Sequence, residues 1–227
     1  MIIPYNRGLH RDGCADIATL YTAYDSDVED EFEETAGLVL AGGAGRRLGG
    51  ADKGLLALPC GTPGAAAAKS VLESLCRRVY ISANRNLDTY AEIAGGRVVR
   101  DLRSGFFGPL AGLEAIRGVL RCRRLLLLPC DMPEVDPRVF TELTAALDAD
   151  SSLDYAYAST TESSHYLVAA LRVAALCSVT PLLNHKAYAV RGWLQDLRTA
   201  SVGFDGAEAA SLRNRNLPRD WDMDDHP

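Results

Sequence analysis

Gly37-Leu38-Val39-Leu40-Ala41-Gly42-Gly43-Ala44-Gly45-Arg46-Arg47-Leu48-Gly49-Gly50-Ala51-Asp52-Lys53 is the stretch that decides how this chain is read. The apolar run Leu38–Ala41 has the length of one buried strand, and it empties into a glycine-rich turn. Glycine permits positive φ and lets backbone approach a ligand with no Cβ in the way, so successive N–H groups can converge on phosphate oxygens. Arg46, Arg47 and Lys53 add the positive charge that a triphosphate and its transition state require. Spacing excludes two familiar loops. Lys53 is followed by Gly54 and not by the Ser or Thr of a P-loop, and the third glycine of a dinucleotide fingerprint counted from Gly43 and Gly45 falls on Leu48. A tight strand-to-helix turn that is merely glycine-rich remains the alternative on spacing alone.

Downstream, the order suggests alternating strands and helices. Alanines followed by Val71, Leu72 and Leu75 predict a helix over Gly64–Cys76, and Arg78–Ser82 reads as a second strand ending at Ala83-Asn84-Arg85-Asn86. A short third strand, Arg97–Arg100, ends at Asp101. Gly108-Pro109 opens a helix with Leu110, Leu113, Ile116 and Leu120 on one face. Arg124–Leu128 is the most uniformly apolar run, as expected of a central strand buried on both faces. It ends in Pro129-Cys130-Asp131-Met132-Pro133, where Asp131 is placed either to bind magnesium or to cap the next helix. In each case polar residues follow the carboxyl end of a strand, where open parallel sheets bind ligands. Strands are also expected at Leu153–Ser159, Tyr166–Leu171 and Val202–Phe204, a broadly helical stretch over Leu182–Leu197, and a polar loop from Leu212 leading to a terminal helix opened by Pro218. The fold class is α/β, a mostly parallel sheet with helices on both faces.

With 227 residues the chain can bury one sizeable core. Its formal charge of −6 is unevenly spread: residues 1–36 hold two arginines against nine carboxylates, a net −7, which leaves +1 for the rest. That near-neutral body offers no basic field for nucleic acid. The acidic segment 1–36 reads as a disordered extension, 37–221 as one domain and 222–227 as a frayed tail. No two of the six cysteines have Cys-x-x-Cys spacing, and the apolar run at Leu125 stops at Pro129, so no membrane span is expected and the chain reads as cytoplasmic.

These pieces together resemble the molybdenum cofactor guanylyltransferase family, the MobA proteins, within the nucleotidyltransferases that have a Rossmann-like, nucleotide-diphospho-sugar-transferase-like sheet. The resemblance runs from about Gly37 to Trp221. It is carried by Leu40–Gly49 with Asp52-Lys53, Ala83-Asn84-Arg85, Gly108–Gly112, Pro129–Pro133 and Asn214-x-Asn216-x-Pro218. It implies that Leu40, Ala41, Gly42, Lys53 and Asp101 bind GTP and that Asp131 binds both the nucleotide and Mg2+. Gly43, Arg47 and Gly112 would shape the triphosphate and catalytic site, and Asn214 and Asn216 would face the pterin. Four positions depart from the pattern: Leu48 replaces a methionine, Ser82 an asparagine that touches the nucleotide, Tyr166 a proline after His165, and Tyr188 a basic residue.

The reaction so implied is transfer of GMP from GTP to the terminal phosphate of molybdenum-carrying molybdopterin, with release of pyrophosphate. Arg47, Lys53 and Asp131 are the residues expected to carry it, and GTP, molybdopterin and other cofactor-assembly proteins or acceptor apo-enzymes are the implied partners. A sister enzyme using CTP, or one acting on a sugar phosphate or cobinamide phosphate, shares the same sheet. A non-enzymatic assembly adaptor is the more distant alternative, and it leaves the clustered phosphate-binding residues unexplained.

Overall fold

Strand β1 (Glu33–Leu40), which feeds the glycine loop, lies beside β4 (Cys122–Pro129) at the centre of a single sheet. The computed structural model of the chain describes residues 32–43, 50–105, 107–215 and 221. Among these residues the sheet has seven strands in the order β3-β2-β1-β4-β6-β5-β7, with β2 (Val79–Ser82), β3 (Val98–Val99), β5 (Tyr155–Ser159), β6 (Ser164–Arg172) and β7 (Thr199–Gly203) beside β1 and β4. Only β6 runs against the rest, so the sheet is mostly parallel as expected.

Helices cover both faces. Helices α1 (Gly64–Glu73), α2 (Leu87–Ala94) and α4 (Pro137–Ala149) bring Leu72, Tyr90, Phe140 and Leu143 onto one face, against Val39, Leu126 and Leu128. On the other face Leu38, Leu125 and Leu127 meet Leu110, Leu113 and Ile116 of α3 (Pro109–Arg117). Leu183 of α5 (Val179–Asn184) and Trp193 of α6 (Val190–Leu194) extend that second layer. This double cover is why β4 is apolar at every central position: alternate side chains point to opposite faces, and both faces are dry.

Four features differ from the sequence reading. The first strand among the described residues begins at Glu33, inside the acidic segment, and the charges there have distant partners. Glu33 is buried 3.2 Å from Arg78 Nε, and Glu34 lies 3.2 Å from Arg124. The expected helix over Leu182–Leu197 is two short ones separated where Lys186 takes a φ of 58°, a left-handed conformation that interrupts a helix. The last strand starts at Thr199, three residues early, because it pairs with β5 from Tyr155↔Thr199 onward. A further helix, α7 (Gly206–Ser211), precedes the polar loop. The terminal helix expected at Pro218, together with Arg46, Arg47 and Asn216, lies outside the described residues. Among those described, no helix is long and apolar enough to cross a membrane.

Candidate active site

The chain runs outward from β1 to β2 and β3, then returns to place β4 on the opposite side of β1. Connections leaving β1 and β4 therefore diverge and open a crevice at their carboxyl ends, the switch point where α/β sheets bind ligands. Leu40, Ala41 and Gly42 leave β1 there, and Asp131 leaves β4, whose exit is tied to β1 by Cys130 N–H donating to Leu40 O at 3.1 Å. Lys53, on a short 3-10 turn (Lys53–Leu55), donates through Nζ to Asp131 Oδ2 at 3.3 Å. Both side chains are about one-quarter exposed, so opposite charges face each other at the mouth of the crevice. Asp131 is not a helix cap: that role belongs to Asp136, whose Oδ1 accepts from Arg138 N at 2.9 Å at the start of α4.

A second group lies past β2 and β3. Asn84 and Asp101 bond reciprocally: Asn84 Nδ2 donates to Asp101 Oδ2 at 2.8 Å, and Asp101 N donates to Asn84 Oδ1 at 3.0 Å. Burial raises the Asp101 carboxyl above its usual range, while the bond from Asn84 pulls it back. Gly42 sits against this pair, since a Cβ there would lie 3.2 Å from Asn84 Nδ2. Close approach, not positive φ, is what glycine supplies at that position; a Cβ at Gly43 would meet no described atom within 4 Å. Ser82 is buried and turned onto α3, its Oγ 2.5 Å from where a Cβ on Gly112 would stand. Gly112 thus lets α3 close onto the end of β2. Arg103 holds the loop between β3 and α3 by two 2.7 Å bonds to buried Glu114 and one to Asn184.

The sequence reading gave no role to Arg85 or Asp52, and the structure joins them. Arg85 Nη1 donates to Gly50 O at 2.7 Å, and Nη2 donates to Ala51 O at 2.9 Å and Gly43 O at 3.3 Å. Its Nε forms an ion pair at 3.2 Å with Asp52 Oδ2; that oxygen accepts a hydrogen bond from Asn86 at 2.9 Å, while Asp52 Oδ1 accepts from the fully buried Tyr90 hydroxyl at 2.6 Å. Burial and this carboxylate push the Tyr90 hydroxyl far up, so it remains a donor. Gly54 packs directly on that hydroxyl. The sequence signals were position, since Arg85 follows the carboxyl end of β2, and membership of both residues in the stretches Asp52-Lys53 and Ala83-Asn84-Arg85 that carry the resemblance.

Asn214 lies far along the chain but close in space. Arg215 N donates to Asp131 O at 2.8 Å, its guanidinium bonds Glu134 at 2.6 Å, and its carbonyl accepts from Trp221 Nε1 at 3.1 Å. The exposed Asn214 is thereby set next to the end of β4. The two departures in the second half engage other aromatic rings: Tyr188 packs on Phe107 with centroids 5.0 Å apart, and Tyr166 on Tyr157 at 4.9 Å.

Comparison with known proteins agrees with this geometry. The family model described as "MobA-like NTP transferase domain" matches residues 37–201. The chain is 38% identical to the molybdenum cofactor guanylyltransferase of Burkholderia vietnamiensis over 176 residues, covering 74% of this chain and 85% of the relative. It is 35% identical to the protein of the same name from Shewanella amazonensis, over 80% of this chain and 90% of that one. Among solved structures, molybdopterin-guanine dinucleotide biosynthesis protein A from Archaeoglobus fulgidus superposes with a TM-score of 0.68 at 21% identity, covering 82% of this chain and 94% of that chain. A CMP:2-keto-3-deoxy-manno-octonic acid synthetase complexed with CTP superposes at 0.63 and 15% identity, covering 82% and 95%. The two structures establish the nucleotide-diphospho-sugar-transferase-like sheet. With the family model spanning most of its length and relatives this similar along the same stretch, the chain belongs to the MobA-like NTP transferase family.

Proposed function

We propose that this chain transfers GMP from GTP to the terminal phosphate of molybdenum-carrying molybdopterin, forming the guanine dinucleotide cofactor and pyrophosphate. The observation that carries the reading is the Lys53–Asp131 pair at the β1/β4 switch point, with the Asn214 segment bonded to the same aspartate. An oxygen of the acceptor phosphate forms a bond to the α-phosphorus of GTP as the bond from that phosphorus to the bridging oxygen breaks, and pyrophosphate leaves with the electron pair. The acceptor oxygen is already anionic at neutral pH, so no general base is assigned. What the protein must supply is alignment of two polyanions and compensation of their charge.

Lys53 supplies a cation at the crevice mouth, and the backbone leaving β1 through Leu40–Gly42 ends at Gly43, where a Cβ would meet no described atom within 4 Å. Among the described residues no three His, Cys, Asp or Glu side chains converge as a metal cage. A lone, partly exposed carboxylate such as Asp131 nevertheless suits Mg2+, which is ordinarily held by one or two carboxylates together with substrate phosphates and water. Bound there, the ion would neutralise charge on the phosphates. Asp101 with Asn84 is the candidate contact for the nucleoside, and Asn214 with Asn216 for the pterin.

The test is pyrophosphate release with molybdenum-molybdopterin as acceptor, run with GTP, CTP and ATP. Release from GTP alone is expected, whereas preference for CTP would move the chain to a sister activity. The acceptor side has its own expected result. Asparagine amides donate and accept, and removing one partner of such a bond costs about 1–3 kcal/mol. Asn214→Ala with Asn216→Ala should weaken molybdopterin binding at least ~10-fold, as that cost implies, while calorimetric GTP affinity stays near wild type. An equal loss for both ligands would make this loop part of the nucleotide site.

A further inference from the structure

We propose that Arg85 is a positioning residue that ties Gly43 to Gly50 and Ala51 and, through Asp52, sets the position of Lys53 for the nucleotide. The inference rests on the nucleotidyl-transfer reading above. Gly43 enters the loop and Gly50 and Ala51 leave it, and one guanidinium accepts no choice between them: it bonds the carbonyls of all three at 2.7–3.3 Å. Gly43 and the Gly50-Ala51 pair therefore meet on one side chain. Because a trans peptide points its N–H opposite to its C=O, the carbonyls drawn to Arg85 turn the amides of Ala51 and Asp52 away from the guanidinium.

The clasp is itself held. Asp52 immediately follows the bonded carbonyls, and its carboxylate, only 6% exposed, lies against Arg85 Nε and accepts from Asn86 and Tyr90. Asn86 takes a left-handed φ of 49° where α2 begins, and Tyr90 is on α2, so Asp52 is referenced to a helix packed in the core. Lys53 is the next residue along the chain from Asp52. Fixing Asp52 therefore also fixes the origin of the lysine that meets Asp131. The planar fork of arginine can reach three carbonyls and a carboxylate at once, whereas lysine presents one nitrogen on a flexible stem.

The test compares Arg85→Lys and Arg85→Ala with the wild-type full chain in pyrophosphate release, varying GTP and acceptor separately. Misplacement of a substrate-positioning group by about 1 Å costs on the order of 10²-fold, so kcat/KM for GTP should fall about that far in both variants. KM for GTP should rise while KM for the acceptor is unchanged. Arg85→Lys keeps the charge beside Asp52 and decides the matter if Arg85→Ala does not fold. Wild-type kcat/KM for GTP in folded Arg85→Lys overturns the proposal. So does a fall in kcat with both KM values unchanged, the pattern of a merely smaller folded fraction. If the wild-type chain itself releases no pyrophosphate from any nucleotide, the functional reading fails before the clasp is tested.

Discussion

Asp131→Asn should lower turnover by about 10²–10³-fold, the scale set by removing one preorganised charge-stabilising group from an active site, and should leave the fold intact. The amide matches the carboxylate in shape, so the exit from β4 keeps its backbone bonds: Cys130 N–H to Leu40 O and Arg215 N–H to Asp131 O. What disappears is the negative charge 3.3 Å from Lys53 Nζ and the oxygen suited to a hard cation. Stability should barely move, because a pair this accessible to water contributes at most about 1 kcal/mol. Steady-state pyrophosphate release beside a thermal melt separates the two effects. Magnesium-dependent turnover close to wild type would remove Asp131 from the chemistry.

Trp221→Ala should have the largest effect on stability, and it should reach the site as well. The indole is 1% exposed, and its ring packs so tightly on the first residue of α1 that a Cβ on Gly64 would stand 2.7 Å from it. The same Cβ would lie 2.9 Å from Cys130 O, so ring, helix start and the end of β4 meet at one point. Truncating a buried tryptophan costs about 3–5 kcal/mol. For a chain of this size that lowers the melting midpoint by about 10 °C. The indole N–H to Arg215 O is lost too, so the Arg215 bond to Asp131 loosens and kcat should fall even below the melt. A variant with an unchanged midpoint would show that the indole fills space without holding the segment.

Much of this was legible in the residues because period and position carry the information. The uniformly apolar run at Leu125–Leu128 foretold a strand covered on both faces, and Gly108-Pro109 foretold the start of α3 almost to the residue. Asp131 was legible as the residue after a buried strand, but whether it capped a helix was not. That turned on Asp136, five residues on, which only the observed bond to Arg138 N identifies as the cap. Glu33 and Glu34 were assigned to a solvated extension because their neighbours in sequence repel them. Their partners, Arg78 and Arg124, are brought in by strand pairing, which local charge cannot anticipate. The three carbonyls on Arg85 were hidden for a similar reason, since backbone acceptors have no signature in the sequence.

The bond from Arg215 N–H to Asp131 O has a consequence for biosynthesis. Domains synthesised on the ribosome begin to fold from the N-terminal end. Strands β1 to β4 can pair as soon as Pro129 has emerged, yet the aspartate at the end of β4 is braced by residues 215 and 221, which are made only after β5, β6 and β7. A nascent chain thus holds the strands β1 to β4, and later the other described strands, before the brace on Asp131 exists. The end of β4 gains its brace only once the segment around Arg215 has left the exit tunnel and Trp221 seats against α1.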